Sequence, residues 1–277
     1  MIPAQPSRTA MRVALRRAAH QLLDVPPVLV DPMAIAILGG ETEAALRADP
    51  ARFENRRLSS PLRAFIAVRS RFAEDQLAAA RGDGVRQYVI LGAGLDTFAY
   101  RDPSPERPLR VWEVDHPATQ AWKRARLAES SIPLPSHLTF VPIDFEHETL
   151  PSALAAAGFD PAAGAVFSWL GVVPYLSRPA IMTTLAYVAS ATTAGGGIAF
   201  DYGIPPGQLT IGQRVVFEAL AARVRAADEP WRTFFDPAEL TRDLFALGFA
   251  VAVRPRQSMR DTLPAGETAS KWAAWAT

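Results

Sequence analysis

Apolar residues in the first third of the chain recur at helical spacing. A stripe follows Ser7, a residue type that caps helices, and repeats every three or four positions, at Met11, Leu15, Ala18 and Leu22. A short helix is predicted to begin at Asp31-Pro32 and to stop at Gly39-Gly40. A longer helix is predicted over residues 60–81, with Gly82 as its terminator. The first third is therefore expected to be helical.

From Gln87 onwards the period of the pattern changes. Short apolar runs without alternation appear, as expected of strands that are buried on both faces of a parallel sheet. These runs lie at 88–91, 110–114, 138–141, 165–169 and 197–202. Helical segments separate most of them, at 117–128, 149–157 and 178–191. The alternation predicts right-handed βαβ crossovers and a doubly wound α/β sheet.

Further elements are predicted beyond residue 204. They are an inserted amphipathic helix at 208–227, a helix packed on the sheet at 237–247, a late strand at 249–254, and a last edge strand or helix at 271–275. The chain is expected to be one domain, 1–277. Its parts would be a helical cap over 1–84, a core over 85–204, a helical lid inserted at 205–232, and the rest of the core over 233–277.

Charge and composition narrow the choice of partners. The chain has 29 basic and 28 acidic residues, so no net field attracts nucleic acid or an anionic membrane, and no apolar run is long enough to span a bilayer. It has no cysteine, which excludes disulfides and cysteine-based zinc sites, and we predict no metal site. The arginines near the N-terminus lie within a helical pattern and not a signal peptide, although a transit peptide is an alternative. We expect a cytoplasmic protein whose partner is a small molecule.

A glycine-containing turn follows the first predicted strand, at residues 91–97. Gly92 and Gly94 let the backbone turn sharply and lie against a ligand, at the strand end where nucleotide-like ligands bind in such folds. The alternative is a tight turn without function, because such turns are common. Thr97 stands where a dinucleotide fingerprint requires glycine or alanine, which disfavours a pyrophosphate site and thus an NAD-dependent enzyme.

Acidic residues end the next two predicted strands. Asp115 follows Gly94 by 21 positions, near the offset at which a carboxylate accepts hydrogen bonds from both ribose hydroxyls. Asp144 and Phe145 end the third strand, where a carboxylate can accept the exocyclic amine of adenine and an aromatic ring can pack on the base. Asp144 as the cap of a following turn is the alternative. These positions together indicate an adenosine site.

These segments resemble the motifs of the leucine carboxyl methyltransferase-like family of S-adenosylmethionine-dependent enzymes. The resemblance rests on 69–75, on 91–97 with Tyr100 and Arg101, on 113–117 and on 143–145, and it continues to about Val253. It implies a class I methyltransferase fold: a Rossmann-like, doubly wound, mostly parallel seven-stranded sheet with N-terminal helices and an inserted helical lid. It also implies that S-adenosyl-L-methionine binds in the core over 85–204.

The resemblance implies a role at the cofactor for each motif residue. Arg69 pairs with the methionyl carboxylate, a contact that suits a bidentate arginine, although a solvated helix arginine is the alternative. Asp115 holds the ribose, and Asp144 and Phe145 bracket the adenine. The remaining expected cofactor-binding residues are Gly92, Ala93, Gly94, Asp96, His116, Ser168 and Trp169.

Leu170 departs from the family pattern. Many relatives carry a glutamate there that lines the cofactor pocket, so the contact to the cofactor's amino group is expected to pass to the carbonyl or hydroxyl of Ser168. The substitution also keeps open a second class of function, a protein that binds the cofactor without catalysis. An NAD-dependent oxidoreductase on a similar sheet is a third class.

The expected reaction is O-methylation of a small-molecule metabolite by in-line displacement, and the resemblance favours a carboxylate acceptor over a hydroxyl. A carboxylate needs no base, whereas a phenol with a pKa of about 10 needs a proton acceptor. No catalytic residue is predicted. Tyr175 and Tyr202 are candidates to bind the acceptor, with buried structural tyrosines as the alternative. The arginines of 208–227 favour an acidic acceptor, unless they form a solvated face.

Overall fold

A five-stranded parallel sheet lies at the centre of the computed structural model, which describes residues 7–54, 59–101, 109–144, 148–226 and 229–250. The strands are β1 Gln87–Leu91, β2 Arg110–Asp115, β3 Leu138–Pro142, β4 Ala165–Trp169 and β5 Gly196–Phe200. Their order across the sheet is β3-β2-β1-β4-β5. The order reverses between β1 and β4, and ligands of such sheets bind at the carboxyl ends of the strands around this switch point.

The predicted α/β architecture is confirmed for these five strands. Each has bounds within two residues of its prediction, because an uninterrupted apolar run is what burial on both sheet faces requires. The predicted late strand at 249–254 is not seen at Phe249 and Ala250, and its remainder lies outside the described residues, as does 271–275. Five strands are therefore found, and the predicted total of seven stays a prediction.

Eight α-helices occur in the described ranges. They are α1 Arg8–Leu23, α2 Gly40–Ala48, α3 Ser59–Gly82, α4 Pro117–Glu129, α5 Leu150–Ala156, α6 Arg178–Ala191, α7 Ile211–Arg225 and α8 Pro237–Ala246. Ser7 caps α1 as predicted, since its hydroxyl accepts the backbone N–H of Ala10 at 3.1 Å. Among these helices, none has an apolar stretch that could cross a bilayer.

The predicted short helix at 31–40 is wrong. The segment instead forms a turn and a single 3₁₀ turn, Ala36–Leu38. One oxygen of Asp31 accepts the backbone N–H of Met33 at 3.1 Å, while the other contacts Thr97 and Arg17. Gly39, with a φ of +86°, ends the 3₁₀ turn, and α2 begins at Gly40. Acidic residues in the first turn of α2 favour a helix start, a signal that the sequence prediction missed.

The sheet separates apolar cores on its two faces. One face packs on α5, α6 and α8, and includes Trp112, Phe167 and Trp169, all fully buried. The ring of Phe159 meets Trp112 and Phe167 edge-on, with centroids 5.3 Å and 5.9 Å apart. The other face carries β1 residues such as Tyr88 and Ile90 against α3. A further apolar cluster joins α1 to α2 and α4.

A buried ionic network ties the N-terminal helices to the glycine turn. Asp31, with no exposed surface, accepts the hydroxyl of Thr97 at 2.6 Å and lies 2.9 Å from Nε of Arg17. Arg101 lies 3.5 Å from the same carboxylate and forms a bidentate pair with Glu74 on α3. Since α1, α3 and residues 95–101 all contribute, the network fixes the turn against the helical cap.

A second buried ion pair lies beneath the end of β2. Nζ of Lys123 on α4 is 2.5 Å from Oε2 of Glu113, and both residues are 1% exposed. Burial raises the pKa of Glu113 to about 7, while the ammonium of Lys123 acts in the opposite direction. The hydroxyl of Tyr100 also reaches this carboxylate, at 3.4 Å. The pair anchors α4 to the strand that ends in Asp115.

Candidate active site

A cavity of about 410 Å³ lies over the carboxyl ends of β1, β2 and β4. Cavities of a few hundred cubic ångströms suit a nucleoside-sized ligand. Its floor comes from the glycine turn and the strand ends, and its roof from the start of α1 and residues 229–232. The lining residues that concern the chemistry are Thr9, Arg17, Arg69, Gly92, Ala93, Gly94, Asp96, Asp115, His116, Asp144, Ser168, Leu170, Tyr175, Glu229 and Arg232.

Glycine is required where the turn after β1 meets the loop after β4. The backbone N–H groups of Gly92 and Ala93 both donate to the carbonyl of Val114, which bends the chain sharply across the end of β2. Gly92 has a φ of +67°, and a Cβ there would lie 2.3 Å from Cγ2 of Val172. The bare backbone thus allows two chain segments to meet at the cavity floor.

We expect Gly92→Ala to destabilise the protein by about 1–3 kcal/mol, the cost of holding a non-glycine residue in the left-handed region, and to weaken cofactor binding. Val172 must also shift, which reshapes the cavity floor. Chemical denaturation and titration with S-adenosylhomocysteine measure the two effects. Gly207→Ala is the matched control, because no atom lies within 4 Å of its added Cβ. Equal behaviour of the two variants would contradict this assignment.

Asp115 links the end of β2 to the glycine turn. Its carboxylate accepts the backbone N–H of Gly94 and, at 2.7 Å, that of His116. Burial raises the pKa of Asp115, and these two N–H donors oppose the rise. The two donors reach different oxygens, so the carboxylate is fixed at both, and the residue also lines the cavity. A rigid acceptor of this kind suits a pair of ribose hydroxyls.

His116 begins α4 and lines the cavity beside Asp115. Its Nδ1 accepts the backbone N–H of Ala118 at 3.2 Å, so the ring acts as the helix N-cap. Asp96 lies across the turn, where its carboxylate accepts the N–H of Phe98 at 2.8 Å and lies 3.8 Å from Arg17. The sequence prediction placed both residues at the cofactor, and the structure places both on the cavity wall.

Asp144 follows β3 and lines the same cavity as Asp115. The two predicted acidic residues therefore share one ligand space, each at the end of its own strand. The backbone N–H of Asp144 donates to the side chain of Glu148 at 2.9 Å, and its carbonyl accepts the N–H of Glu148 at 2.8 Å. Phe145, the predicted partner at the base, lies outside the described residues.

Arg69 on α3 reaches the cavity from the β4 side. One guanidinium nitrogen, Nη1, donates to Asp201 at 2.8 Å, and Asp201 also accepts the N–H of Gly171. Nε of Arg69 is buried and has no hydrogen-bond partner among the described residues. Asp201 directly follows β5 and was not predicted, because it acts on the cavity through Arg69 and Gly171 and does not line it.

The alternation of side chains along β4 separates two residues that were predicted together. Ser168 lines the cavity, whereas Trp169 is fully buried with Phe167 on the opposite face of the sheet. Successive strand residues point to opposite faces, so both cannot reach the cavity. Leu170, past the strand end, does line it. The cofactor contact predicted for Trp169 therefore has no support from its position.

The two candidate acceptor-binding tyrosines occupy different places. Tyr175 lines the cavity, as does Thr9. Burial raises the pKa of Tyr175, so the phenol keeps its proton. Tyr202 packs its ring against Phe200 and Phe235 and does not line the cavity. Its position corresponds to the structural alternative.

The residues that form the roof of the cavity were not predicted individually, although they lie in the segments expected to form the helical cap and the lid. Thr9, Ala10 and Val13 come from α1, and Glu229, Pro230 and Arg232 follow α7. Glu229 accepts both the backbone N–H of Thr9, at 3.3 Å, and its hydroxyl. These partners are 220 residues apart, and no local motif marks either one. The available signal was the predicted position of the 205–232 insertion over the strand ends.

Comparisons with known proteins give several relatives of this chain. YktD of Bacillus subtilis strain 168, which carries the name of an S-adenosyl-L-methionine-dependent methyltransferase, is 30% identical over 264 residues, 88% of this chain and 86% of its own. A Frankia alni protein with a name of the same kind is 34% identical over 212 residues, 76% of this chain and 70% of its own. A Thermobifida fusca crystal structure described as a methyltransferase has a TM-score of 0.49 at 19% identity, covering 87% of this chain and 80% of that one.

The chain is an S-adenosyl-L-methionine-dependent methyltransferase. Residues 10–189 match the family model of leucine carboxyl methyltransferase, and the chain belongs to that family. The family, the enzyme class and the cofactor predicted from the sequence motifs are thereby confirmed.

Proposed function

We propose that the enzyme transfers a methyl group to an oxygen atom of a small-molecule metabolite, at a carboxylate or a hydroxyl. The observation that carries this proposal is the cavity itself, in which Asp115 and Asp144 end neighbouring strands beside the glycine turn. Its remaining space is covered by α1 and residues 229–232, so the acceptor would be a small molecule or a short end of a larger one.

The residues present fit the cofactor. Gly92 would not admit a Cβ, the buried Nε of Arg69 lacks a partner among the described residues, and Asp115 presents a backbone-anchored carboxylate. In the proposed arrangement Asp144 accepts the adenine amine, Asp115 the ribose hydroxyls, and Arg69 donates to the methionyl carboxylate. Asp201 keeps the Arg69 guanidinium and the Gly171 backbone in place for this contact.

When bound, the cofactor supplies an electrophilic methyl group on a sulfonium. The protein's part in such a displacement is to align the acceptor oxygen with that methyl group and to exclude water, effects that supply much of the rate in reactions of this type. The apolar wall formed by Val13, Leu170 and Val172 excludes water, and Tyr175 can donate a hydrogen bond to the acceptor. Ser168 lines the floor near the position proposed for the amino group of the cofactor.

Labelled methyl transfer into a library of small carboxylic acids, phenols, amines and thiols tests the proposal. We expect the label on oxygen in one or more small-molecule products, identified by mass spectrometry, and no transfer by the Asp115→Ala variant. Label found on nitrogen or sulfur, or only in a macromolecular fraction of a cell extract, would contradict the proposed acceptor class. Binding of S-adenosylhomocysteine, measured in parallel, reports on the cofactor site alone.

A further inference from the structure

Glu229 is one of four acidic residues that line the cavity, and it lies on the roof, away from the strand ends that carry Asp115 and Asp144. Two of the arginines that line the cavity are paired with other carboxylates, Arg17 with Asp31 and Arg69 with Asp201. Glu229, by contrast, forms no ion pair with any residue in the described parts of the chain. Both of its hydrogen bonds from Thr9 end on Oε2, which leaves Oε1 without a protein donor among those residues.

The backbone around Glu229 is held in place from two directions. Thr9 connects it to the start of α1. Further along the same segment, the N–H groups of Arg232 and Thr233 donate to the carbonyl of Pro174 at 2.6 Å and 3.2 Å. The hydroxyl of Thr233 also donates to Leu176 at 2.5 Å. The Glu229 carboxylate is therefore a positioned group and not the end of a solvated side chain.

Tyr175 connects Glu229 to the part of the cavity proposed for the methionyl end of the cofactor. Tyr175, Thr9, Glu229 and Arg69 all line the same cavity. In the proposed arrangement the adenine lies at β3, the ribose at β2 and the methionyl group near Arg69. The sulfonium would lie between the ribose and the methionyl group, and the acceptor would occupy the remaining part of the cavity, which Tyr175, Thr9 and Glu229 line.

We propose that Glu229 is the proton acceptor of the reaction and that the acceptor substrate is a neutral hydroxyl compound, such as a phenol or an enol. This inference rests on the proposed O-methyl transfer and selects between its two acceptor classes. A carboxylate substrate would bring a second negative charge beside Glu229 and would have no proton to give it. A hydroxyl has that proton and needs a base, because a phenol with a pKa of about 10 is mostly neutral at physiological pH.

The step balances without a further reactant. A lone pair of the acceptor oxygen forms the bond to the methyl carbon as the bond from that carbon to sulfur breaks, and the electron pair of the broken bond stays on sulfur. The proton of the hydroxyl passes to Oε1 of Glu229 and then to water. The products are a methyl ether and S-adenosylhomocysteine, and Tyr175 keeps its proton and orients the acceptor oxygen.

The test compares Glu229→Gln with wild type on sets of three ring-matched acceptors. For each ring, one phenol is neutral at the assay pH, one nitrophenol is already ionised, and one compound carries a carboxylic acid in place of the hydroxyl. Glu229→Gln should lose about 100-fold to 10,000-fold in turnover with the neutral phenol, the usual contribution of a general base, and less than about tenfold with the ionised one. Glu229→Asp should recover part of the loss.

Two further measurements separate the inference from the proposed function. S-adenosylhomocysteine should bind Glu229→Gln as it binds wild type, since the residue is not part of the proposed cofactor contacts. The wild-type product should resist mild alkali, as methyl ethers do, whereas methyl esters hydrolyse. An alkali-labile product, no transfer to any phenol, or equal losses with both phenols would overturn the role of Glu229. If wild-type protein does not bind S-adenosylhomocysteine, the proposed cofactor site is wrong.

Discussion

Replacing Asp115 with alanine is expected to weaken the binding of S-adenosylhomocysteine by about 100-fold or more. The variant loses charge-assisted hydrogen bonds to the ribose, each worth about 1.5–3 kcal/mol, and about 2.8 kcal/mol corresponds to a factor of 100. It also releases the backbone N–H groups of Gly94 and His116, which the carboxylate holds in the absence of ligand. The glycine turn should therefore lose part of its fixed geometry. Titration calorimetry measures the affinity directly.

Asp115→Asn is the matched variant for this experiment. An amide of the same shape can still accept one of the two backbone N–H groups, so the turn should be better preserved than in the alanine variant. The asparagine cannot present two charged acceptor oxygens to the ribose. We expect an affinity between those of wild type and Asp115→Ala, with a melting temperature close to that of wild type. An alanine variant that binds S-adenosylhomocysteine as tightly as wild type would exclude the ribose role.

Lys123→Met is expected to cost about 3–5 kcal/mol of unfolding free energy at pH 8, because it leaves the Glu113 carboxylate buried without its ammonium partner. The loss should be smaller at pH 5. Burial raises the pKa of Glu113 in the folded protein to about 7, above the ordinary value of 4.5. Such a carboxyl makes a destabilising contribution that grows as the pH rises between these two values. Without Lys123 the folded-state pKa rises further. Chemical denaturation at both pH values measures the difference.

The double variant Lys123→Met with Glu113→Gln is the control for this pair. It removes both charges at similar volume, and it should recover most of the stability lost at pH 8, because the main cost of the single change is an uncompensated buried charge. The ring of Tyr100, which lies 5.3 Å from Nζ of Lys123, remains in place in both variants. If the double variant is as unstable as Lys123→Met, packing and not charge explains the loss.

The sheet and most helices were predictable because their signals are local. Buried parallel strands need uninterrupted apolar runs, and helices need a repeating apolar stripe with a cap such as Ser7. Both patterns can be recognised within a short stretch of sequence. The 3₁₀ turn at Ala36–Leu38 was missed for the opposite reason. Asp31 accepts the backbone N–H of Met33, as a local cap does, but its carboxylate is also held by Arg17 and Thr97 from distant parts of the chain, and the sequence pattern does not show these contacts.

The same distinction applies to the site. Gly92, Asp115 and Asp144 follow strands, and parallel strands bring their carboxyl ends to one edge, so the sequence placed these residues correctly on the cavity wall. Trp169 was predicted at the cofactor together with Ser168 because the resemblance identifies a segment of sequence. It does not say which face of the strand each side chain occupies. Asp201 is 132 residues from its partner Arg69, and Glu229 is 220 residues from its partner Thr9. No local spacing in the sequence indicates either contact.

The central claim is that the cavity at the carboxyl ends of β1, β2 and β4 binds an adenosyl sulfonium cofactor. The most direct measurement is the unfolding free energy of wild-type protein with S-adenosylhomocysteine or NAD present in excess. At about 100 times its dissociation constant, S-adenosylhomocysteine should add about 2.7 kcal/mol, and NAD at the same concentration should add nothing measurable. Stabilisation by NAD with none by S-adenosylhomocysteine would contradict the account.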